Sequence, residues 1–193
     1  MMYQKKAKIF CLVGGSGSGK DTIKNNLHLP YVVSYRTRPM RVGEEDGKDG
    51  YFVTDELYFD HKETNKIAAE TVYNGYHYWT TYDCFRPYLQ GLPILYVVDW
   101  PGVVDLKKAF PPEDIISIWI DVHGALLYDR MRSRGDSDER AKERLKKYHT
   151  DEEIKACLCD YKVNNNNNNV YIALGSVSRI ILKETFKDSG SNG

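Results

Sequence analysis

Ile9-Phe10-Cys11-Leu12-Val13-Gly14-Gly15-Ser16-Gly17-Ser18-Gly19-Lys20-Asp21-Thr22 is an apolar run cut off by glycines and closed by a lysine. The run from Ala7 to Val13 is short and apolar almost throughout, which predicts a strand covered on both faces. Residues 14–20 have the spacing G-x4-G-K of a phosphate-binding loop, and they sit where that loop must sit, between a strand and a helix expected over 20–28. Glycines let the backbone curl so that its N–H groups face an anion, and the next helix adds the positive end of its dipole. Gly14, Gly15, Ser16, Gly17, Ser18 and Gly19 therefore read as the cradle, and Lys20 as the point charge that reaches the outer phosphates. The motif expects Ser or Thr after the lysine as a Mg²⁺ ligand. Here Asp21 stands there, with Thr22 next, so either Asp21 supplies an anionic ligand or water and other groups hold the metal.

Outward from this loop the chain alternates. Strands are expected at 31–34, 93–99 and 114–121, and helices at 82–90, 101–109, 124–134 and, with a break, 138–160. Strand-helix repetition of this kind predicts an α/β fold: a parallel sheet with helices on both faces. Residues 35–81 break the pattern with Arg, Gly and Tyr and with strand-like pieces at 51–54 and 76–79, and read as a small inserted β-containing lobe. The expected organisation is one domain over 1–187, with a core of 1–34 and 82–187, the lobe at 35–81, a lid at about 130–146 and a polar tail at 188–193. Six consecutive asparagines, 164–169, read as a low-complexity loop expansion that cannot pack.

Composition removes several classes of function. The 193 residues carry 27 basic and 27 acidic side chains, so the formal net charge is zero. A nucleic-acid or membrane-surface binder needs an excess of positive charge, so neither partner is expected, although a local anion site is not excluded. The apolar run after the basic N-terminus is shorter than the roughly 7–15 residues of a signal peptide or the roughly 20 of a membrane span. Four cysteines (Cys11, Cys84, Cys157, Cys159) form no CxxC pair and no zinc spacing. The cytoplasm is the expected compartment.

Two clusters of arginine supply the remaining chemistry. Ser34-Tyr35-Arg36-Thr37-Arg38-Pro39-Met40-Arg41-Val42-Gly43-Glu44 places two guanidinium forks, Arg38 and Arg41, beside Ser34, a set suited to capturing a phosphate dianion. Five of the ten arginines (130, 132, 134, 140, 144) fall within residues 130–144. Arg130 and Arg134 share a helix face. The segment reads as a lid closing over a triphosphate, with Arg130, Arg134 and Arg144 as its working residues. The alternative is a solvated face on which Asp129, Asp136, Asp138, Glu139 and Glu143 pair with these arginines.

The stretch 34–44 resembles the guanylate kinase family pattern S-x-T-T-R-x-x-R-x-G-E, with Arg36 where Thr is usual. The likeness continues through Asn74-Gly75-Tyr76-His77-Tyr78-Trp79-Thr80, Asp99-Trp100-Pro101-Gly102, Arg130 to Gly135, Arg144-Leu145 and Asp160-Tyr161-Lys162-Val163-Asn164-Asn165. The resemblance implies a phosphate contact from Tyr78, a base contact from Thr80 and a place near adenine for Asn165. The family's phosphate-binding tyrosine falls on Gly50, leaving Tyr51 displaced by one, and its guanine-reading glutamate is one place from Glu70. Trp79 replaces a glycine and is expected to add bulk beside the acceptor pocket. Asp99, at a strand's carboxyl end, reads as a base contact, a metal organiser or a helix cap.

The resemblance implies a P-loop kinase fold and a Mg²⁺-dependent transfer from ATP to GMP or dGMP, in a monomer or homodimer. The alternatives are a same-fold kinase for another (deoxy)nucleoside monophosphate and a non-catalytic interaction module. The intact phosphate loop disfavours the second of these.

Overall fold

β1 (Ile9–Val13) is buried along its whole length and forms the centre of a four-stranded sheet. In the computed structural model, residues 7–148, 158–167 and 169–186 are described. β1 pairs in parallel with β6 (Ile94–Val97) on one side and β7 (Ile115–Asp121) on the other, and β8 (Tyr161–Asn164) extends the sheet beyond β7 in parallel. Period-two alternation sends Ile9, Cys11 and Val13 to one face and Phe10 and Leu12 to the other. The first set packs with Val103 and Leu106 of α4 (Trp100–Ala109) and Leu127 and Met131 of α5 (Gly124–Ser133). The second packs with Ile23 of α1 (Lys20–Asn26) and Ala173, Val177 and Ile181 of the C-terminal helix α7 (Val170–Thr185). Both faces are thus covered, as the apolar strands require. Each fully buried Ile or Leu here contributes about 1.5–3 kcal/mol of transfer free energy.

A second sheet comes from the sequence between α1 and β6. Its order is β3 (Tyr51–Phe52), β2 (Tyr35–Arg36), β5 (Tyr76–Thr81), β4 (Ile67–Tyr73), with α2 (Asp55–Glu63) linking β3 to β4. β4 and β5 form a hairpin whose turn residues Asn74 and Gly75 both have positive φ, 52° and 77°, as a type I′ turn demands. One face of this sheet is an aromatic core. Tyr35 stacks on Trp79 at 5.3 Å and lies 4.8 Å from Tyr51, while Trp79 donates to His61 Nδ1 of α2.

The structure corrects several expected elements. Residues 31–34 form no strand: Tyr31 makes one isolated bridge to Leu95, after which the chain leaves for the second sheet. Pro30 lacks the N–H that a ladder would use on that side. The helix expected at 82–90 is a 3-10 turn, Tyr82–Phe85, followed by the short α3 (Arg86–Leu89). The helix expected at 138–160 is described as α6 (Asp138–Lys147); Cys157 and the rest of that stretch from residue 149 lie outside the described residues, as does the tail at 188–193. α2, β2, β4, β8 and α7 are additions to the expected set. Trp79 is 1% exposed in the aromatic core rather than beside a pocket, because its β5 position faces α2. The asparagine run does pack: Asn164 ends β8, Asn165 is 4% exposed, and Asn169 caps α7 by accepting from Tyr171 N. Among the described residues no helix is long and apolar enough to cross a membrane.

Candidate active site

The site is built from the turn that β1 feeds. Gly17 and Gly19 take φ of 86° and 90°, a left-handed conformation that costs glycine little. At Gly19, the N-cap of α1, a Cβ would also lie 2.7 Å from Asn165 Nδ2. That amide donates to Ser18 O at 2.8 Å, so the loop after β8 clamps the glycine loop from outside. Lys20 Nζ donates to Gly14 O at 2.6 Å, to Gly15 O at 2.8 Å and to Ser18 Oγ at 3.2 Å, which keeps its charge within the loop that surrounds it. Asp21 and Thr22 are exposed in the first turn of α1, and Asp21 lies 3.8 Å from Lys24 Nζ.

Two arginines, one at the end of α5 and one on α6, converge on this loop. Arg134 Nη2 donates to Ser16 Oγ at 2.7 Å and Arg144 Nη1 at 3.2 Å, although the residues are 118 and 128 positions apart from Ser16 in sequence. Asp136 accepts from both and faces Arg140 at 3.8 Å, so one carboxylate organises three guanidinium groups. Burial acts to raise its pKa, but the Arg134 hydrogen bond and the Arg144 charge outweigh it and hold the carboxyl below its ordinary value. Arg130 is placed differently. It donates to Gly17 O, Asn165 O and Asn167 O, joining the glycine loop to the asparagine loop. Asp138 and Lys142 pair across one turn of α6.

In the second sheet, the strand register decides which residues share a face. Arg36 is the partner of Tyr78 and of Phe52, while Tyr35 is the partner of Trp79 and of Tyr51. Ser34, Arg36 and Tyr78 therefore share one face and Tyr51 takes the other, against Tyr35 in the core. A one-residue displacement in a strand inverts the side chain's face, and this separates Tyr51 from Ser34, Arg36 and Tyr78. Glu70 is inverted for the same reason. It pairs in register with Trp79, and its carboxylate accepts from Tyr58 OH at 2.6 Å and from Lys62 at 3.0 Å, both on α2. Thr80 is fully buried. Asp99 caps α4, its Oδ1 accepting from Gly102 N at 3.0 Å, and it remains exposed at the carboxyl end of β6.

Arg38 is 7% exposed and forms a fork-to-fork pair with Glu44, at 2.7 and 2.6 Å. Glu44 also accepts from Arg41 N at 2.8 Å. Burial would raise the Glu44 pKa, yet these bonds and the charges of Arg38 and Arg41 pull it down from 4.5 to about 2. The Arg41 pKa is lowered by burial first and then by Arg38, with Arg144 of α6 adding to it, so the two arginine clusters feel one another. Because the folded Glu44 pKa lies below the unfolded one, its contribution to stability is complete above about pH 4.5 and is lost as pH falls toward 2. Melting temperature measured against pH should therefore drop less steeply over that window in Glu44→Gln than in the parent. Parallel acid limbs would contradict this role.

Sequence reasoning singles out the glycine loop, Ser34, Arg38, Arg41, Tyr78 and the lid arginines. It misses the organising part of Asp136, the clamp by Asn165 and the placing of Arg36. The outward signal for Arg36 is its substitution of a threonine within an otherwise matched pattern.

A family model for guanylate kinase matches residues 6–184 of the chain. The chain is 33% identical over 156 residues to a guanylate kinase of Rickettsia typhi, covering 75% of this chain and 77% of that protein. It is 29% identical to a guanylate kinase of Carboxydothermus hydrogenoformans over 97% of this chain and 93% of that one. Among solved structures, a guanylate kinase from Anaplasma phagocytophilum superposes with a TM-score of 0.76 at 26% identity, over 96% of this chain and 89% of that chain.

Proposed function

This chain belongs to the guanylate kinase family, and from that premise we propose how its own residues divide the transfer of the γ-phosphoryl group from ATP to GMP. The reaction needs no protein nucleophile. A phosphate oxygen of GMP attacks the γ-phosphorus in line, ADP leaves, and the protein contributes positioning and charge neutralisation. Residues Gly14 to Gly19 cradle the phosphates of ATP through main-chain N–H groups, and Lys20 bears on the transferring group. Arg134 and Arg144 reach the same phosphates from the lid side. Arg130 is better read as the residue that fixes the glycine loop to Asn165 and the adenine side, since its donors are engaged by three carbonyls.

Ser34, Arg41 and Tyr78 are proposed as acceptor-phosphate ligands, with Arg38 completing them when it exchanges Glu44 for the phosphate. For the base, the inverted face of Glu70 leaves Thr80 and Asp99 as the groups from the expected set that can still accept from the N1–H and N2–H₂ of guanine. Tyr51 is assigned to the aromatic core of the small sheet, which is proposed to act as the acceptor lobe.

The exposed Asp21 carboxylate and Thr22 hydroxyl offer hard oxygen ligands, and no cluster of three His, Cys, Asp or Glu able to hold a metal occurs among the described residues. That donor set fits Mg²⁺, which is held by one or two carboxylates together with substrate phosphates. When bound, the ion would neutralise charge on the β- and γ-oxygens.

The observation that carries this reading is the convergence of Lys20, Arg134 and Arg144 on one glycine loop. A coupled ADP-release assay across GMP, dGMP, AMP, CMP and dTMP tests the acceptor. GMP and dGMP should give the highest kcat/KM, by orders of magnitude over the other bases, because a mismatched base leaves buried polar groups unpaired. Equal turnover of AMP or CMP at matched subsaturating concentration would overturn the guanine assignment and leave the kinase assignment standing.

A further inference from the structure

Of the three arginines in the acceptor lobe's motif, Arg38 is the one most completely neutralised. Both of its terminal nitrogens are held by Glu44. Arg36, two residues earlier, has the opposite surroundings. Among the described residues no carboxylate lies within ion-pair distance of it, and its single hydrogen bond runs from Nη2 to Ser34 Oγ at 2.8 Å. Its Nε, like that of Arg38, is buried without a partner. Its Nη1 has no hydrogen bond among the described residues and is not one of the buried unpaired atoms, so it remains free to donate.

The guanidinium is held in place from several sides. It lies 5.4 Å from the centroid of Phe52 and 5.9 Å from that of Tyr78, the two residues that flank Arg36 in the sheet register. On its remaining side is Gly50. A Cβ at that position would stand 2.2 Å from Nε, 2.5 Å from Cζ and 2.8 Å from Nη2. No side chain fits there while Arg36 keeps this conformation. Arg36 and Gly50 are therefore a matched pair: the glycine makes the space and the guanidinium fills it.

A cation fixed in this way, desolvated and without a counter-ion, is costly for the protein on its own. Burial, and then the neighbouring charge of Arg38, hold its pKa below the ordinary arginine value, against the opposing charges of Glu44, Tyr78 and, last, Asp21. An anion on the face that Arg36 shares with Ser34 and Tyr78 would supply the missing partner.

We infer that Arg36 is a direct ligand of the acceptor's phosphate dianion, donating from Nη1 alongside Ser34 and Tyr78, and that glycine at position 50 is what permits it. This inference rests on the acceptor reading above. Arg36 and Arg41 bind the incoming nucleoside monophosphate while Arg38 is still paired to Glu44, and the phosphate then competes with Glu44 for Arg38.

Calorimetry of GMP and of guanosine, with steady-state kinetics on the same proteins, tests it. Arg36→Ala should weaken GMP binding and raise the acceptor KM by about 10- to 100-fold, the worth of a charge-assisted hydrogen bond. KM for ATP should stay within about twofold and the weak binding of guanosine should not change. Arg36→Lys keeps the charge without the fork and should recover part of the loss. Gly50→Ala should raise the acceptor KM in the same direction in the parent, but should add little in the Arg36→Ala background, since the clash is then gone.

A folded Arg36→Ala protein that binds GMP within twofold of the parent overturns the inference while the kinase reading survives. Equal losses of GMP and guanosine binding overturn it too, because they mark a structural role. Failure of the parent itself to bind GMP would bring down the acceptor reading and this inference together. Should Arg36→Ala not fold, Arg36→Lys and Gly50→Ala carry the same comparison, and an unchanged acceptor KM in both overturns the proposal.

Discussion

Lys20→Ala should lower kcat by about 10³-fold and leave the protein folded, a result to be read by the coupled assay and by thermal melting. The magnitude follows from removing one preorganised charge from a site where charge is redistributed during transfer, a loss of about 3–4 kcal/mol of barrier stabilisation. The fold should survive because the ammonium's partners include Gly14 O, Gly15 O and Ser18 Oγ, polar groups of the loop at the carboxyl end of β1, whereas the core lies in the strands below. Lys20→Arg should be nearly as damaging. A planar guanidinium cannot reproduce a compact ammonium that points to three oxygens of one tight loop. A folded Lys20→Ala protein with turnover within tenfold of the parent would remove the glycine loop from the mechanism.

The parts of this site that can be read from sequence are those whose chemistry is local in the chain. The strand, glycine loop and helix from Ile9 to Asn26 are one contiguous unit whose residue types and spacing leave few alternatives. The lid arginines are equally visible as a cluster. Face selection in the small sheet is not. Tyr51 and Glu70 are each one place from an expected position, and in a strand that single place separates the cleft from the aromatic core. Only the register, Tyr35 opposite Trp79 and Tyr51, shows which side each takes.

The asparagine run departs from expectation for a different reason. Composition says that six asparagines supply no apolar surface, which is true, but it is silent about partners distant in sequence. Asn165 reaches a carbonyl 147 residues away and Asn166 accepts from His123 N. These are hydrogen bonds to main chain that an amide can make in any loop brought near by the sheet. β8, clamped to β7 by Asp160 on Ser117, brings this one near.

Arg134→Ala and Arg144→Ala should each lower kcat by something on the order of 10²- to 10³-fold while the acceptor KM moves by only a few-fold. Arg41→Ala should do the reverse, raising the acceptor KM with a much smaller change in kcat. The Arg134 and Arg144 guanidiniums meet at Ser16 Oγ in the glycine loop, so on the proposed reading they would lie beside ATP's phosphates, where negative charge is rearranged during transfer. Interactions that strengthen only in the transition state appear in kcat, and those made equally with bound substrate appear in KM. Arg41 belongs to the second kind, being held beside Glu44 in the acceptor lobe. Asp136→Asn supplies an internal control. It removes the carboxylate that orients the lid arginines without removing either guanidinium, and should cost kcat less than either alanine variant. Identical profiles for Arg41, Arg134 and Arg144 would mean that one undivided phosphate site uses all three, and the separation of lid from acceptor lobe would fail.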